Sequence, residues 1–330
     1  MANSYSWKHS YTSLFLYLRK KRGELLAFKE QAGRQAGYGN DQSTGIAITE
    51  RNPWMITGAS VTGHGHKAEG IPCQDAHHTE VWKNGWGVAA LSDGAGTAAR
   101  SHLASQWLVK KAVKEVRHLV KSRRWAQNQT LPAPEEWQHY GAGLMQSIRH
   151  SFLRFAEETG TPLYELHATL IVIIFSPHGI LATHIGDGRA GCRDRHGNYH
   201  SLITPWEGEQ AGQTVFVSTN AERFAKAVGI ARLALAPDAF FMMTDGCERV
   251  AWKTIQLNPA TGLYQKINQP FAPFFNQTLD TLRQMQTILP SRAIARNWHS
   301  YLDNGHKGFE TETDDKTMVI GILRTNSYQS

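Results

Sequence analysis

Four times along this chain an acidic residue stands at the edge of a short apolar run, and three of those times glycine follows it. Val88-Ala89-Ala90-Leu91-Ser92 ends in Asp93-Gly94-Ala95-Gly96. Leu181-Ala182-Thr183-His184-Ile185 ends in Gly186-Asp187-Gly188-Arg189, and Phe240 to Thr244 ends in Asp245-Gly246. The fourth, Asp314-Asp315, precedes the run Thr317 to Leu323. One Asp-Gly is only a turn signal, because glycine supplies positive φ and aspartate caps its own backbone. Four acidic residues at strand ends constrain the fold more tightly. Carboxylates converging on the rim of a sheet would repel unless cations compensate them. Ligation by carboxylates, a glycine carbonyl and waters suits Mg²⁺ or Mn²⁺ rather than zinc. Two such ions about 3.5–4 Å apart form a hydrolytic centre for phosphate esters.

The apolar runs themselves read as strands by length and β-branched content: Trp86 to Leu91, Thr169 to Phe175, Ile180 to Ile185, Thr214 to Ser218, Ala239 to Met243 and Thr317 to Leu323. Helical patterns lie between them at 101–124, 141–158 and 275–300, and loops are expected from Arg124 to Trp137 and from Asn258 to Pro273. Strands interrupted by a few long helices, without strict alternation, give an α+β class rather than a doubly wound sheet. Residues 1–50 read as a basic, partly helical extension ending in Gly37-Tyr38-Gly39-Asn40, and residues 51–330 as one domain.

The formal charge of +7 suggests nucleic acid until the charge is located. Residues 1–40 hold seven basic residues against two acidic, and residues 101–124 hold seven against one, so acidic residues outnumber basic ones in the rest of the chain. The second stretch is the wet face of an amphipathic helix whose apolar face carries Leu103, Trp107, Leu108, Ala112, Val113, Val116, Leu119 and Val120. No nucleic-acid partner is expected. The longest apolar run, Leu170 to Phe175, is far short of a membrane span. The N-terminal run Leu14 to Leu18 precedes its charges, the reverse of a secretory signal. Three cysteines, Cys73, Cys192 and Cys247, without C-x-x-C spacing support neither disulfides nor a thiolate zinc site, and fit a reducing cytoplasm. His64, His66, His77 and His78 lie close together, but no second cluster completes a metal site from them.

Taken in order, the motifs resemble the metal-dependent protein phosphatases of the 2C type, the PPM family, over roughly residues 55–323. Gln74-Asp75-Ala76 resembles the early E/Q-D motif and Ser92-Asp93-Gly94-Ala95-Gly96 the D-G-x-G motif. His167-Ala168-Thr169-Leu170 is similar to the G-[ST]-T strand, and Gly186-Asp187-Gly188-Arg189 to G-D-[SG]-R. Thr244-Asp245-Gly246 resembles [ST]-D-G, and Asp314-Asp315-Lys316-Thr317 the closing D-[DN]-x-[TS]. Gly70 to Ala76 is most like a bacterial subgroup.

The resemblance implies a four-layer αββα fold, a central β-sandwich of two mainly antiparallel sheets flanked by helices. It implies two Mn²⁺ or Mg²⁺ ions bridged by Asp93, one of them also bound by the Gly94 carbonyl and the other completed by Asp245 and Asp314. Asp75 would hold waters, and a metal-bridging hydroxide would attack phosphorus in line. Glu165 sits where bacterial members hold a third metal, whereas Asp187 reads as a structural turn residue. Many eukaryotic members carry a histidine proton donor where this chain has Ala95, so a metal-bound water or another residue takes that role here. In place of their phosphate-gripping arginine, the neighbourhood offers His66 and Lys67. The implied activity is dephosphorylation of phosphoserine and phosphothreonine in proteins, opposing a bacterial Ser/Thr kinase. The alternative is a pseudophosphatase that keeps the fold as a phosphoprotein-binding scaffold.

Overall fold

Strand Leu170–Ser176, Leu-Ile-Val-Ile-Ile-Phe-Ser, is buried along its whole length, which a strand achieves only when both faces of its sheet are covered. Its odd and even residues enter different cores. Ile171, Ile173 and Phe175 meet Phe240, Met242 and Val319 of another sheet. Leu170, Val172 and Ile174 face helices. That single alternation defines three of the four layers.

The computed structural model describes residues 53–206 and 214–324. The expected basic extension at 1–50 therefore lies outside the described residues. The strands are β1 (Trp54–Val61), β2 (Ala76–Val81), β3 (Gly87–Ser92), β4 (Leu170–Ser176), β5 (Gly179–Ile185), β6 (Arg189–Asp194), β7 (Tyr199–Ser201), β8 (Gly229–Leu233), β9 (Pro237–Met243), β10 (Trp252–Leu257), β11 (Tyr264–Pro270) and β12 (Lys316–Leu323). One five-stranded sheet runs β1-β12-β9-β6-β7 and the other β2-β3-β4-β5-β8, while β10 and β11 form a separate hairpin. Among the described residues every strand pairing is antiparallel. The principal helices are α1 (His64–Glu69), α2 (Ser101–Ser122), α3 (Pro134–Glu158), α4 (Ala272–Ile288) and α5 (Ser291–Ser300).

Helices α2 and α3 cover the second sheet through Leu108, Ala112, Val116, Ile148 and Phe152. Helices α4 and α5 cover the first through Phe275, Leu279, Ile294 and Trp298, against Phe241, Met243, Met318 and Ile320. The fold is the expected α+β, four-layer αββα sandwich. Between the sheets Trp54, Phe175 and Phe240 form an aromatic cluster with centroids 4.7–5.5 Å apart. Gly321 makes room for it, since a Cβ there would lie 2.1 Å from the Phe240 ring.

Several local expectations are corrected. Thr214 to Ser218 is not a strand: Thr219 Oγ1 accepts from the Phe216 N–H at 3.0 Å and folds the segment into a turn. The helix expected at 275–300 is two helices. Pro290 has no N–H and disfavours helical geometry before it, so Leu289 is extended at φ −120°, ψ 143°. Helix α3 starts at Pro134, not 141, because proline suits the first helical turn and Glu136 accepts from the Ala133 N–H at 3.2 Å. The expected loop at 124–137 also contains the helical turn Trp125–Asn128, and the one at 258–273 contains β11. On α2 the basic face is wet as expected, with Lys110, Lys114 and Lys121 exposed. Lys111 pairs with Glu115 at 2.6 Å, and Arg117 with Glu80. Among the described residues no helix is long and apolar enough to cross a membrane, and the three cysteines are free.

Candidate active site

Antiparallel register decides where the acidic residues go. Ala76 pairs with Ser92, so Asp75 and Asp93 leave the second sheet at the same end. Met243 pairs with both Met318 and Arg189, so Asp245, the Asp314-Asp315 pair and Asp187 leave the first sheet together. A direct bond links the two groups across the sandwich: Thr244 Oγ1 donates to Asp75 Oδ2 at 2.8 Å.

Asp93 is held by its backbone. Its N–H donates to Thr169 Oγ1 at 3.0 Å, and its carbonyl accepts from the Thr169 N–H at 2.8 Å. Ser92 Oγ donates to the Thr169 carbonyl at 2.6 Å, and the Ala95 N–H to that of His167 at 3.0 Å. Thr169 thus serves the site by fixing the acidic loop. Gly94 is required for close approach: a Cβ would lie 2.7 Å from the Gln74 carbonyl oxygen and 2.8 Å from Ser101 Cβ.

On the opposite sheet the Thr244 N–H donates to the Thr317 carbonyl at 3.0 Å, and the Thr317 N–H to Thr244 Oγ1 at 2.9 Å. Asp245 follows directly, and Gly246 lets its turn pass Asp315, whose carbonyl oxygen would be 2.0 Å from a Cβ at that position. Asp314 Oδ1 accepts from the Asp315 N–H at 2.7 Å. Asp315 turns inward. Its Oδ1 accepts from the Gly63 N–H at 2.8 Å and its Oδ2 from the Gln74 N–H at 2.6 Å. The preceding Gly63 packs against the same loop, where a Cβ would sit 2.3 Å from the Asp314 carbonyl and Thr313 oxygen. Gly63→Ala is therefore expected to lower the thermal midpoint by several degrees and to weaken metal-dependent stabilisation. A melt with and without Mn²⁺ checks it; an unchanged pair of curves would show the contact to be slack.

The electrostatics are those of like charges crowded at a rim, with Asp75 buried, Asp93 half-buried and Asp245 and Asp314 exposed. Burial, then the neighbouring Asp75, Asp245, Asp187 and Asp314, holds the Asp93 carboxyl well above the usual carboxylate range. Asp75 is raised chiefly by burial, despite the Thr244 bond that favours its charged form. Burial, Asp187 and Asp314 push Asp245 to about 7, while hydrogen bonds involving Asp93 and the Gly246 backbone oppose the rise. Asp314 is raised as well, again mainly by burial. Asp75 Oδ1 is buried without a hydrogen-bond partner. An all-oxygen, anionic, partly orphaned donor set fits hard divalent cations. Among the described residues no three His, Cys, Asp or Glu side chains close a cage around one point. Mg²⁺ does not require one, because it keeps several waters and takes one or two carboxylates.

The other candidates are placed as follows. His66 Nδ1 lies 2.9 Å from Asp315 Oδ1. Lys67 is not brought to the carboxylates, because its ammonium pairs with Asp303 on the adjoining turn. Glu165 pairs with Arg100 Nε at 3.2 Å. Asp187 accepts from the Thr214 hydroxyl and also faces Asp93 and Asp245 closely enough to raise both. His77 is buried and bonded to Ser60 Oγ at 2.9 Å; burial lowers it to about 4, so it is neutral. The residues without an assigned role in the sequence are Thr244, Thr317 and Asp315. Their signal was present in the Thr-Asp-Gly and Asp-Asp-Lys-Thr strings, where a hydroxyl or second acid accompanies each acidic residue.

Residues 62–296 match the sequence model of the family described as Protein phosphatase 2C. The chain belongs to that family. Protein phosphatase 2C enzymes are metal-dependent phosphoprotein phosphatases, and the matched stretch spans Asp75, Asp93 and Asp245. The chain is 25% identical over 278 residues to "Serine/threonine-protein phosphatase 3" of Escherichia coli (strain K12), covering 82% of this chain and 98% of that protein. Among solved structures it is similar to a bacterial serine phosphatase, at 14% identity and TM-score 0.48, covering 82% of this chain and 97% of the other. It is also similar to RsbX in complex with magnesium, at 12% identity and TM-score 0.44, covering 82% and 95%.

Proposed function

We propose that this phosphatase 2C member hydrolyses phosphoserine and phosphothreonine in proteins with two Mg²⁺ or Mn²⁺ ions held by Asp93, the Gly94 carbonyl, Asp245 and Asp314. The observation that carries the reading is the convergence of Asp75, Asp93, Asp245 and Asp314 from four separate segments, with carboxyls raised together and Asp75 Oδ1 unpartnered. When bound, the ions would neutralise phosphate charge and provide hydroxide at neutral pH for in-line attack. Asp75, fixed by Thr244, accepts hydrogen bonds from water at the site and directs it. His66 stands on the substrate side. Lys67 reaches a phosphate only by leaving Asp303, and Glu165 joins a third ion only by leaving Arg100. The substrates are phosphoproteins made by a Ser/Thr kinase in the same cytoplasm, with residues 51–330 forming the catalytic domain.

The test is phosphate release from phosphoserine and phosphothreonine peptides by the Mn²⁺-loaded full chain. Release that depends on metal supports the reading. A folded, metal-loaded protein that releases none overturns it in favour of a phosphoprotein-binding scaffold. Asp75→Asn keeps shape but loses charge, and about a 10- to 100-fold fall in kcat is expected, as for partners that orient a metal site from outside it. Steady-state kinetics at saturating Mn²⁺ check this; an unchanged kcat would remove Asp75 from the mechanism.

A further inference from the structure

A leaving serine or threonine oxygen is a strongly basic alkoxide, so cleavage of its P–O bond calls for a proton donor at the rim of the site. Asp93, Asp245 and Asp314 are committed to cations and Asp75 to water under the proposed function, on which this inference rests. Other candidates are occupied. Lys67 is paired with Asp303. His77 is buried against Ser60. His167 has Nδ1 2.7 Å from Ser218 Oγ and its ring stacked on Phe216 at 4.9 Å.

His66 is differently placed. Helix α1 is anchored to the Asp314 loop along its first turn: the His64 N–H donates to the Glu312 carbonyl at 2.8 Å and the Gly65 N–H to that of Thr313 at 3.0 Å. The Ile71 N–H donates to the His66 carbonyl at 2.9 Å. The imidazole side chain is 15% exposed, and its Nδ1 lies 2.9 Å from Asp315 Oδ1, whose own side chain is 2% exposed. Asp315 is in turn immobilised by the Gly63 and Gln74 N–H groups. The far ring nitrogen, Nε2, is directed at the acidic loop. It lies 3.9 Å from the position a Cβ would occupy on Gly96, as does Gln74 Oε1. Gly96 is three residues beyond Asp93, and its missing side chain leaves that approach open. A carboxylate 2.9 Å from one ring nitrogen orients the ring, leaving the other nitrogen free to transfer a proton.

We propose that His66, oriented by Asp315, is the general acid that protonates the leaving serine or threonine oxygen. As the P–O bond breaks, its electron pair passes to the side-chain oxygen, which takes the proton from Nε2. The new bond to phosphorus forms from the oxygen of attacking water, whose proton leaves to solvent, and neutral His66 is reprotonated from solvent. Asp315 is a positioning residue. Ala95 and Gly96 leave the space over Asp93-Gly94 to an acid delivered from α1.

The experiment compares two leaving groups in the Mn²⁺-loaded full chain. p-Nitrophenolate departs without protonation, whereas a serine alkoxide does not. His66→Gln is expected to lower kcat on a phosphoserine peptide by about 10²- to 10³-fold. On p-nitrophenyl phosphate the same variant stays within about threefold of the parent, because one acid–base group contributes only where the proton is needed. Thermal midpoint and Mn²⁺ affinity by calorimetry, both unchanged, show that the fold and the ion sites survive. Equal losses on both substrates would overturn the proposal and make His66 a phosphate ligand; no loss on either would overturn it too. A parent enzyme inactive on both substrates would instead count against the proposed function, so the two failures are separable.

Discussion

Asp93→Asn abolishes metal-stimulated turnover on phosphopeptides, with an expected fall in kcat of about 10³-fold or more. Under the proposed function the residue is shared by both ions: it is half-buried, and Asp75, Asp245, Asp187 and Asp314 all act on its carboxyl. Removing one full charge from that position weakens both ions at once, and one well-placed electrostatic group is worth roughly 10²–10³-fold even without metals behind it. The variant should nevertheless fold. The loop is held by backbone and Thr169 bonds at 2.8 and 3.0 Å, none of which involves the Asp93 carboxyl. Asparagine has the same shape and relieves repulsion, so the metal-free variant is expected to melt higher than the metal-free parent. Kinetics at saturating Mn²⁺ and melts in chelator measure the two halves. Retained activity, or a lower metal-free midpoint, would contradict the assignment.

The second large effect is a pH dependence opposite to that of most paired carboxylates. In the metal-free protein the folded-state pKa values of Asp75, Asp93, Asp245 and Asp314 are raised, so folding takes up protons. Below the unfolded value near 4, both states are protonated and there is no penalty. As pH rises the unfolded chain ionises first, the folded protein crowds like charges together, and stability falls. For Asp245 the window runs from about 4 to about 7, and because the residue is solvent-exposed, screening holds its contribution well below the full Coulomb cost. Metal-free protein should therefore melt higher at pH 5 than at pH 8. Saturating Mn²⁺ should erase or reverse that order, since cations bind the ionised carboxylates and stabilise the folded state by mass action. Calorimetric melts at both pH values, with metal and with chelator, check it. A metal-free midpoint that rises with pH would show that the carboxylates do not crowd one another.

Much of the fold was legible because its signal is local. Leu170 to Phe175 and Ala239 to Met243 alternate between two apolar environments, and their length marks them as strands whatever lies around them. Several of the strands missed were of another kind. β2, β6 and β8 are partly buried and mix polar with apolar residues, and β11 is largely exposed, so their strand character comes from partners rather than composition. The break at Pro290 was written in the sequence, yet the helical pattern on either side of it is continuous enough to hide it.

By itself the sequence determined that acidic residues stand at the ends of strands, beside glycines where the backbone crowds. Strand ends and turns are properties of a few neighbouring residues, and they survive in a one-dimensional reading. Only the tertiary structure decided which way each acid turns. Asp315 lies inward toward Gly63 and Gln74 and Asp314 toward Asp245, although the two are adjacent in sequence. Likewise His66 reaches Asp315 while its neighbour Lys67 reaches Asp303. The physical reason is the span of the bonds involved: Thr244 reaches Asp75 across 169 residues, and Gln74 reaches Asp315 across 241. Such directions are set when the two sheets close on each other, and no local pattern encodes them.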